Sequence, residues 1–183
     1  MAKKQLFNLP DTEIQHWECF KTNNTKYDFG HLDAYKHIYT HPERNESYTL
    51  YFTFSHHVFT RSIKETEKTD IQYIYPYKVD ERFFDLDRFK LSINLPQIVK
   101  TLPQQFCYHG GHSRYCSCEV YQEDGSIVNY QVVYRVWKKS SKMRFHIESA
   151  YPLTKPFGKA KKVNFWVICH NLLKGKKLPK PPM

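Results

Sequence analysis

Between Ser113 and Pro152 the chain spells three alternating runs joined by two short polar turns, and no other feature narrows its fold as much. Ser113 to Gln122 alternates and runs into Glu123-Asp-Gly-Ser126, where Asp-Gly suits the positive-φ positions of a tight hairpin turn. Ile127 to Trp137 answers it, and the basic turn Lys138 to Lys142 leads into a third run, Met143 to Pro152. A period of two turns one face of each run to a core and the other to water, so a three-stranded antiparallel meander is expected. Tyr48 to Arg61 alternates as well, with Tyr48, Leu50, Phe52, Phe54, His56 and Val58 on one face, and predicts a long half-buried strand. Tyr35 to His41 is extended in pattern, and the turn-rich Pro42 to Ser47 makes the two a hairpin.

Helical spacing is confined to two places. Asp85 to Leu102 has apolar residues at helical intervals but is interrupted by Pro96, which predicts two short helices, the second capped by Asn94 with the proline in its first turn. Val163 to Lys174 predicts a C-terminal helix closed by Gly175, with a disordered Lys/Pro tail beyond it. Helices ahead of a run of antiparallel strands, with an N-terminal β-hairpin and a C-terminal helix added, make an α+β fold. There is no internal repeat and no long linker, and 183 residues suit one domain. It divides into an N-terminal hairpin extension (1–79), a core (80–155) and a basic helix and tail (156–183).

Charge is distributed unevenly. Residues 131–183 hold 13 Lys or Arg and one acid, Glu148, for a net +12, while the rest of the chain, with 15 cations and 17 acids, is near neutral. A cationic end of this kind is the electrostatic footprint of a polyanion-binding surface, nucleic acid first; the bland alternative is a solvated lysine face. No run of 18 apolar residues and no signal-peptide pattern is present, so no membrane is expected. Five scattered cysteines resemble free thiols of a reducing compartment more than a disulfide scaffold, and the cytoplasm is the expected location.

The densest chemical cluster is Cys107-Tyr-His109-Gly-Gly-His112-Ser-Arg-Tyr-Cys116-Ser-Cys118. Zinc would use its cysteines and histidines, but Cys116 and Cys118 are two apart in a strand rather than in a knuckle turn, and buried free thiols explain them better. His109 and His112 flank a Gly-Gly loop, where imidazoles that titrate near neutrality can act as general base and acid. Arg135 lies mid-strand with Asn129, Gln131 and Val133, a place that packing explains poorly and an anion explains well. On the next strand parity groups Ser149 and Tyr151 with Met143, Phe145 and Ile147 on one face, and His146 with Glu148 on the other, though one bulge would reverse the assignment. His56 falls on the apolar side of its strand, where a satisfied core histidine is the commoner outcome.

Several of these segments together resemble a known family: Arg82-Phe-Phe-Asp-Leu-Asp-Arg-Phe-Lys-Leu-Ser92, Leu95-Pro to Leu102, Cys107-Tyr-His109, the Asp-Gly hairpin, Tyr134-Arg-Val136 and Ser149-Ala-Tyr-Pro152. Over roughly residues 80–155 this layout is similar to the barnase/EndoU/colicin/RelE-like ribonuclease group, in particular its phage-associated branch. The resemblance implies metal-independent RNA cleavage without a cofactor, in which the 2′-hydroxyl attacks the adjacent phosphate. It implies Ser149 and Tyr151 at the scissile phosphate or ribose and Arg135 on its charge, while His109 or His112 would move the proton on chemical grounds alone. Lys138, Lys139, Lys142, Arg144, Lys161 and Lys162 would hold the RNA backbone. A toxin-like or phage-defence endoribonuclease of this kind would meet RNA and a cognate antitoxin or immunity protein. The rival readings are a non-catalytic nucleic-acid-binding or adaptor protein and a zinc-binding module.

Overall fold

In the computed structural model, which describes residues 14–67, 70–77, 80–110, 125–154 and 161–179, with Gly110 and residues 113–121 by their backbone, the expected meander is present and extended on both sides. In chain order the elements are β1 (Phe20–Thr22), β2 (Thr25–Tyr27), β3 (Tyr35–Thr40), β4 (Ser47–Phe54), β5 (Thr60–Arg61), β6 (Ile74–Pro76), β7 (Glu81–Phe84), α1 (Leu86–Ser92), α2 (Leu95–Lys100), β8 (Cys107–Gly110), β9 (Ser113–Tyr121), β10 (Ile127–Lys139), β11 (Lys142–Pro152), β12 (Lys162–Val163) and α3 (Phe165–Leu173). Seven strands form the main sheet in the order β12-β8-β9-β10-β11-β4-β3, and β5-β7-β6 and β1-β2 form two small ones. The fold is α+β.

Turn chemistry accounts for the hairpins. Ser140 and Ser141 both take positive φ between β10 and β11, as Asn23 and Asn24 do between β1 and β2; paired left-handed residues match the twist of two-residue hairpin turns. Asp85 accepts the Arg88 N–H to cap α1 (3.0 Å), and α2 starts at Leu95 with Pro96 in its first turn, where a missing N–H costs nothing. Gly175, at φ +65°, ends α3.

One face of the main sheet carries the core. Leu50, Phe52, Tyr130, Val132, Tyr134 and Phe145 are buried there, with Tyr134 stacked on Phe145 (4.2 Å) and Phe145 4.8 Å from Phe52. α3 lays Phe165 against Tyr39 (4.8 Å), and the Tyr39 hydroxyl donates to the Val99 carbonyl of α2 (2.6 Å). A second aromatic group, Trp17, Phe29, Phe59, Phe84 and Phe89, stitches the small sheet to this core, with Phe29 stacked on Phe59 at 4.1 Å.

Four expectations change. The strand begun at Tyr48 stops at Phe54, and His56–Val58 forms a 3-10 turn in which the Ser55 hydroxyl accepts the His57 N–H; alternation through His56 and Val58 continued a strand that the backbone leaves. The N-terminal hairpin is present as β3 and β4 but is built into the main sheet rather than added to it, because β4 pairs in parallel with β11 (Phe52 opposite Phe145, Phe54 opposite Ile147). Residues 176–178 are docked: the Lys176 N–H donates to the Asn171 carbonyl, the Asn171 side-chain amide donates to the Lys177 carbonyl, and Leu178 packs on the core. Finally, the β10–β11 register shifts so that Val133 faces Ser149 but Tyr134 faces Ile147, leaving Glu148 as a bulge. That bulge decides the parity question. Met143, Phe145 and Ile147 are buried in the core, while Ser149 and Tyr151 move to the opposite, outer face shared by Arg135 and His146.

Candidate functional site at the edge of the central sheet

β4 runs beside β11 only as far as the Phe54–Ile147 pair, and the Ser55 N–H donates to the Ile147 carbonyl as the chain turns away. The last residues of β11 therefore lose their neighbour, and the His56–Val58 turn, β7 and α1 converge there. His56 is 6% exposed; its Nε2 donates to Asp80 Oδ1 (3.1 Å) and its ring stacks on Tyr77 at 3.9 Å. His57 is 38% exposed at its side chain, with Nε2 3.9 Å from Asp80 Oδ2. Arg82, from β7, donates from Nη1 to Asp80 (3.3 Å) and from Nε to the Thr60 hydroxyl (3.1 Å). Arg88, from α1, donates from Nη1 to the carbonyls of His57 (3.3 Å) and Thr60 (2.8 Å), and its guanidinium carbon lies 5.3 Å from the Tyr151 ring centroid. Among the described residues the Arg88 side chain makes no other hydrogen bond.

These positions are held from behind. Arg61 binds Glu67 through both terminal nitrogens (2.5 and 2.6 Å) and Asp85 through Nε (3.0 Å), and its guanidinium lies over Phe83. Asp85 in turn caps the helix that presents Arg88. The hydrogen bonds from Arg61 hold the Glu67 carboxyl down to about 2, so this bracket stays ionised across the physiological range.

Electrostatics gives the two imidazoles similar protonation and different accessibility. Burial pushes His56 down to about 4, assisted by the adjacent His57 and opposed by Asp80. Burial, then the Arg82 charge, lowers His57 as well, again against the pull of Asp80. Both rings are thus predominantly neutral near pH 7. His56 spends its Nε2–H on Asp80, whereas His57 keeps a half-exposed ring able to accept a proton. Burial works upward on the Asp80 carboxyl, but hydrogen bonds from Arg82 and His56 hold it below its ordinary value. With two arginines and one carboxylate, the cluster is net positive and suits an anion.

The chain matches the model of the YjaZ family over residues 18–173. It belongs to the YjaZ family. The protein named YjaZ of Escherichia coli (strain K12) is 31% identical over 175 residues, covering 92% of this chain and 97% of that protein. No solved structure matches the chain significantly.

Membership extends over both the cluster and the residues read from the sequence as a site, which the fold brings together only in part. Tyr151 reaches the cluster through Arg88. Ser149 and Arg135 share the outer face with it, but Arg135, 55% exposed, is ion-paired to the bulged Glu148 (3.3 Å) and stacks on Trp137 (4.9 Å). His109 does not lie on a loop. It is buried in β8, donating from Nε2 to the Pro179 carbonyl, three strand spacings from β11, roughly 14 Å. His112 lies outside the described residues. Of the basic residues, Lys139, Lys161 and Lys162 are exposed, with Lys162 Nζ 3.6 Å from the Phe106 centroid, and half-buried Lys142 sits over Tyr51. Lys138 donates to the Leu173 carbonyl (2.9 Å), neutralising the C-terminal end of α3, and Arg144 is 2% exposed, too deep to reach a backbone phosphate.

Sequence reasoning passed over His57, Asp80, Arg82 and Arg88. Asp80 falls in a stretch without periodicity, and Arg82 and Arg88 lie inside a segment whose layout was matched while its charges were not asked for a role. The usable signal was the pair His56-His57 directly after Ser55, a residue that favours capping a turn. No group of cysteines forms a metal-like cluster among the described residues; the one group with suitable donors is His56, His57 and Asp80. No helix among them is long and apolar enough to cross a membrane.

Proposed function

We propose that the protein is a metal-independent endoribonuclease whose chemistry takes place at this sheet edge. The observation that carries the reading is the half-exposed, neutral His57 ring set with Arg82, Arg88 and Tyr151 where β11 loses its partner strand. Cleavage through the 2′-hydroxyl needs a base, cations for the crowded phosphate and a donor to the departing oxygen. His57 accepts the 2′-hydroxyl proton as that oxygen bonds to phosphorus. Arg82 and Arg88 hold the phosphate charge. The bond from phosphorus to the 5′-oxygen breaks, and the Tyr151 hydroxyl gives that oxygen its proton, to be restored from solvent. The products are a 2′,3′-cyclic phosphate and a 5′-hydroxyl. The resemblance to the barnase/EndoU/colicin/RelE-like group supports the same reaction, with Tyr151 common to both arguments.

The test is incubation of purified protein with mixed cellular RNA, with and without EDTA, followed by analysis of fragment ends. Cyclic phosphates that persist in EDTA and vanish in His57→Gln are expected. Binding without cleavage would leave the adaptor reading in its place. The metal reading has an observation of its own, since donor atoms of His56, His57 and Asp80 lie within 4.8 Å of one another. Against it, Arg82 already occupies Asp80, and a divalent ion would join two guanidinium charges. Stoichiometric zinc in the purified protein, together with EDTA-sensitive cleavage, would replace the metal-independent mechanism by one through that trio.

A further inference from the structure

We infer that the outer face of the main sheet is a stacking platform for single-stranded RNA, built on Tyr51 and Trp137. This rests on the ribonuclease reading and specifies the form of its substrate. The registers place Lys36 of β3, Tyr51 of β4, Arg144 of β11 and Trp137 of β10 in one row across four strands, on the side away from the helices. The two rings stand two strand spacings apart, about 10 Å. Arg144 lies between them, 2% exposed, with its guanidinium 5.7 Å from the Trp137 centroid. Arg135 approaches the same indole to 4.9 Å, and Lys142 Nζ is 5.2 Å from the Tyr51 centroid.

A half-buried tryptophan on the face opposite the core gains little from that core. Ringed by cations, it gains a function instead: a nucleobase can take the place over each ring that a cation now holds, and the surrounding Arg135, Lys139 and Lys36 can take the phosphates. Of the acids at this face, Glu148 is bound to Arg135, a pairing that an RNA phosphate can displace, and Glu119 stands opposite Asn129, two strands from Tyr151. A duplex fits poorly, because its bases are already stacked and it would offer a flat sheet only its backbone. The platform also leads somewhere. From Arg144 to Tyr151 along β11 is seven residues, roughly 23 Å, passing Ser149 and ending at the sheet edge. A strand laid on the two rings therefore enters the His57 cluster from one side.

The experiment measures anisotropy of a labelled 12-nucleotide single strand, as RNA and as DNA of the same sequence, with the full chain. The DNA has no 2′-hydroxyl, so its binding is read without cleavage. Trp137→Leu and Tyr51→Leu should each weaken binding to both strands about tenfold, while Trp137→Phe should stay within about twofold of the unaltered protein. Unchanged affinity in folded Leu variants, or equal affinity for a duplex of that length, overturns the platform. Should a variant fail to fold, photocrosslinking of the unaltered protein to a 4-thiouridine strand decides: adducts at Tyr51 or Trp137 support the inference, and adducts confined elsewhere defeat it. Strand binding that depends on Trp137 without any cyclic-phosphate product would retain the platform and remove the nuclease; cleavage with no dependence on either ring would do the opposite.

Discussion

Residues 131–183 carry net +12, whereas the two adjoining imidazoles, with Asp80, Arg82 and Arg88, lie in the half of the chain that is almost neutral. The cationic half supplies long-range attraction and one side chain, Tyr151, to the chemistry. The near-neutral half supplies the proton acceptor and the arginines nearest to it. Charge counted along a sequence reports where a polyanion is drawn, because counterion release depends on the number of cations and little on their order. Chemistry depends on convergence, and here convergence comes from the parallel pairing of β4 with β11. Two of the 13 cations are committed elsewhere once folded: Lys138 ends a helix and Arg144 is buried.

Four measurements would break or sharpen this division. The largest effect is expected from His57→Gln, which should lower RNA cleavage about 10² to 10⁴-fold with RNA binding and thermal stability retained, whereas His109→Gln should leave cleavage within a few-fold. If His109→Gln abolishes cleavage in folded protein and His57→Gln does not, the active half has been misassigned. Second is acid stability. His56 binds its proton near pH 4 when folded and near 6.5 when unfolded, so the unfolded chain takes up more protons between those values and stability falls as pH drops through that window, by up to about 3 kcal/mol. Denaturant midpoints from pH 7 to pH 4 should follow this slope and lose most of it in His56→Gln.

The third concerns the cationic half alone. Lys139→Gln, Lys161→Gln and Lys162→Gln combined should flatten the salt dependence of RNA binding by about two to three phosphate contacts and leave the rate of the bound complex nearly unchanged, as single-turnover assays at saturation would show. Smallest is Lys138→Met. Losing its bond to the end of α3 should cost about 0.5–1 kcal/mol in stability and little in RNA affinity, which separates a helix-capping lysine from a phosphate-binding one.

Much of the fold was legible because it rests on local rules. Gly125, the break at Pro96, Gly175 and the alternation of β9 to β11 each report a conformation set by neighbouring residues. The site was less legible for the opposite reason. Thr53 and His146, 2.8 Å apart, are 93 positions apart in the chain, and no local pattern announces a parallel neighbour. The bulge at Glu148 is likewise silent in a strand where the hydrophobic period continues to Ile147, yet it alone moves Ser149 and Tyr151 to the outer face. Tyr151 was singled out with its neighbours unknown; His109 was singled out for a loop that is in fact the end of a buried strand.

The seam between β4 and β11 also sets a schedule for synthesis. Phe52 and Phe54 leave the ribosome nearly a hundred residues before the strand that shelters them, an interval of roughly 5 to 20 seconds at ordinary elongation rates. For that time the nascent N-terminal hairpin presents an apolar, unzipped border, and the last long strand to emerge serves as the clasp that ends its exposure.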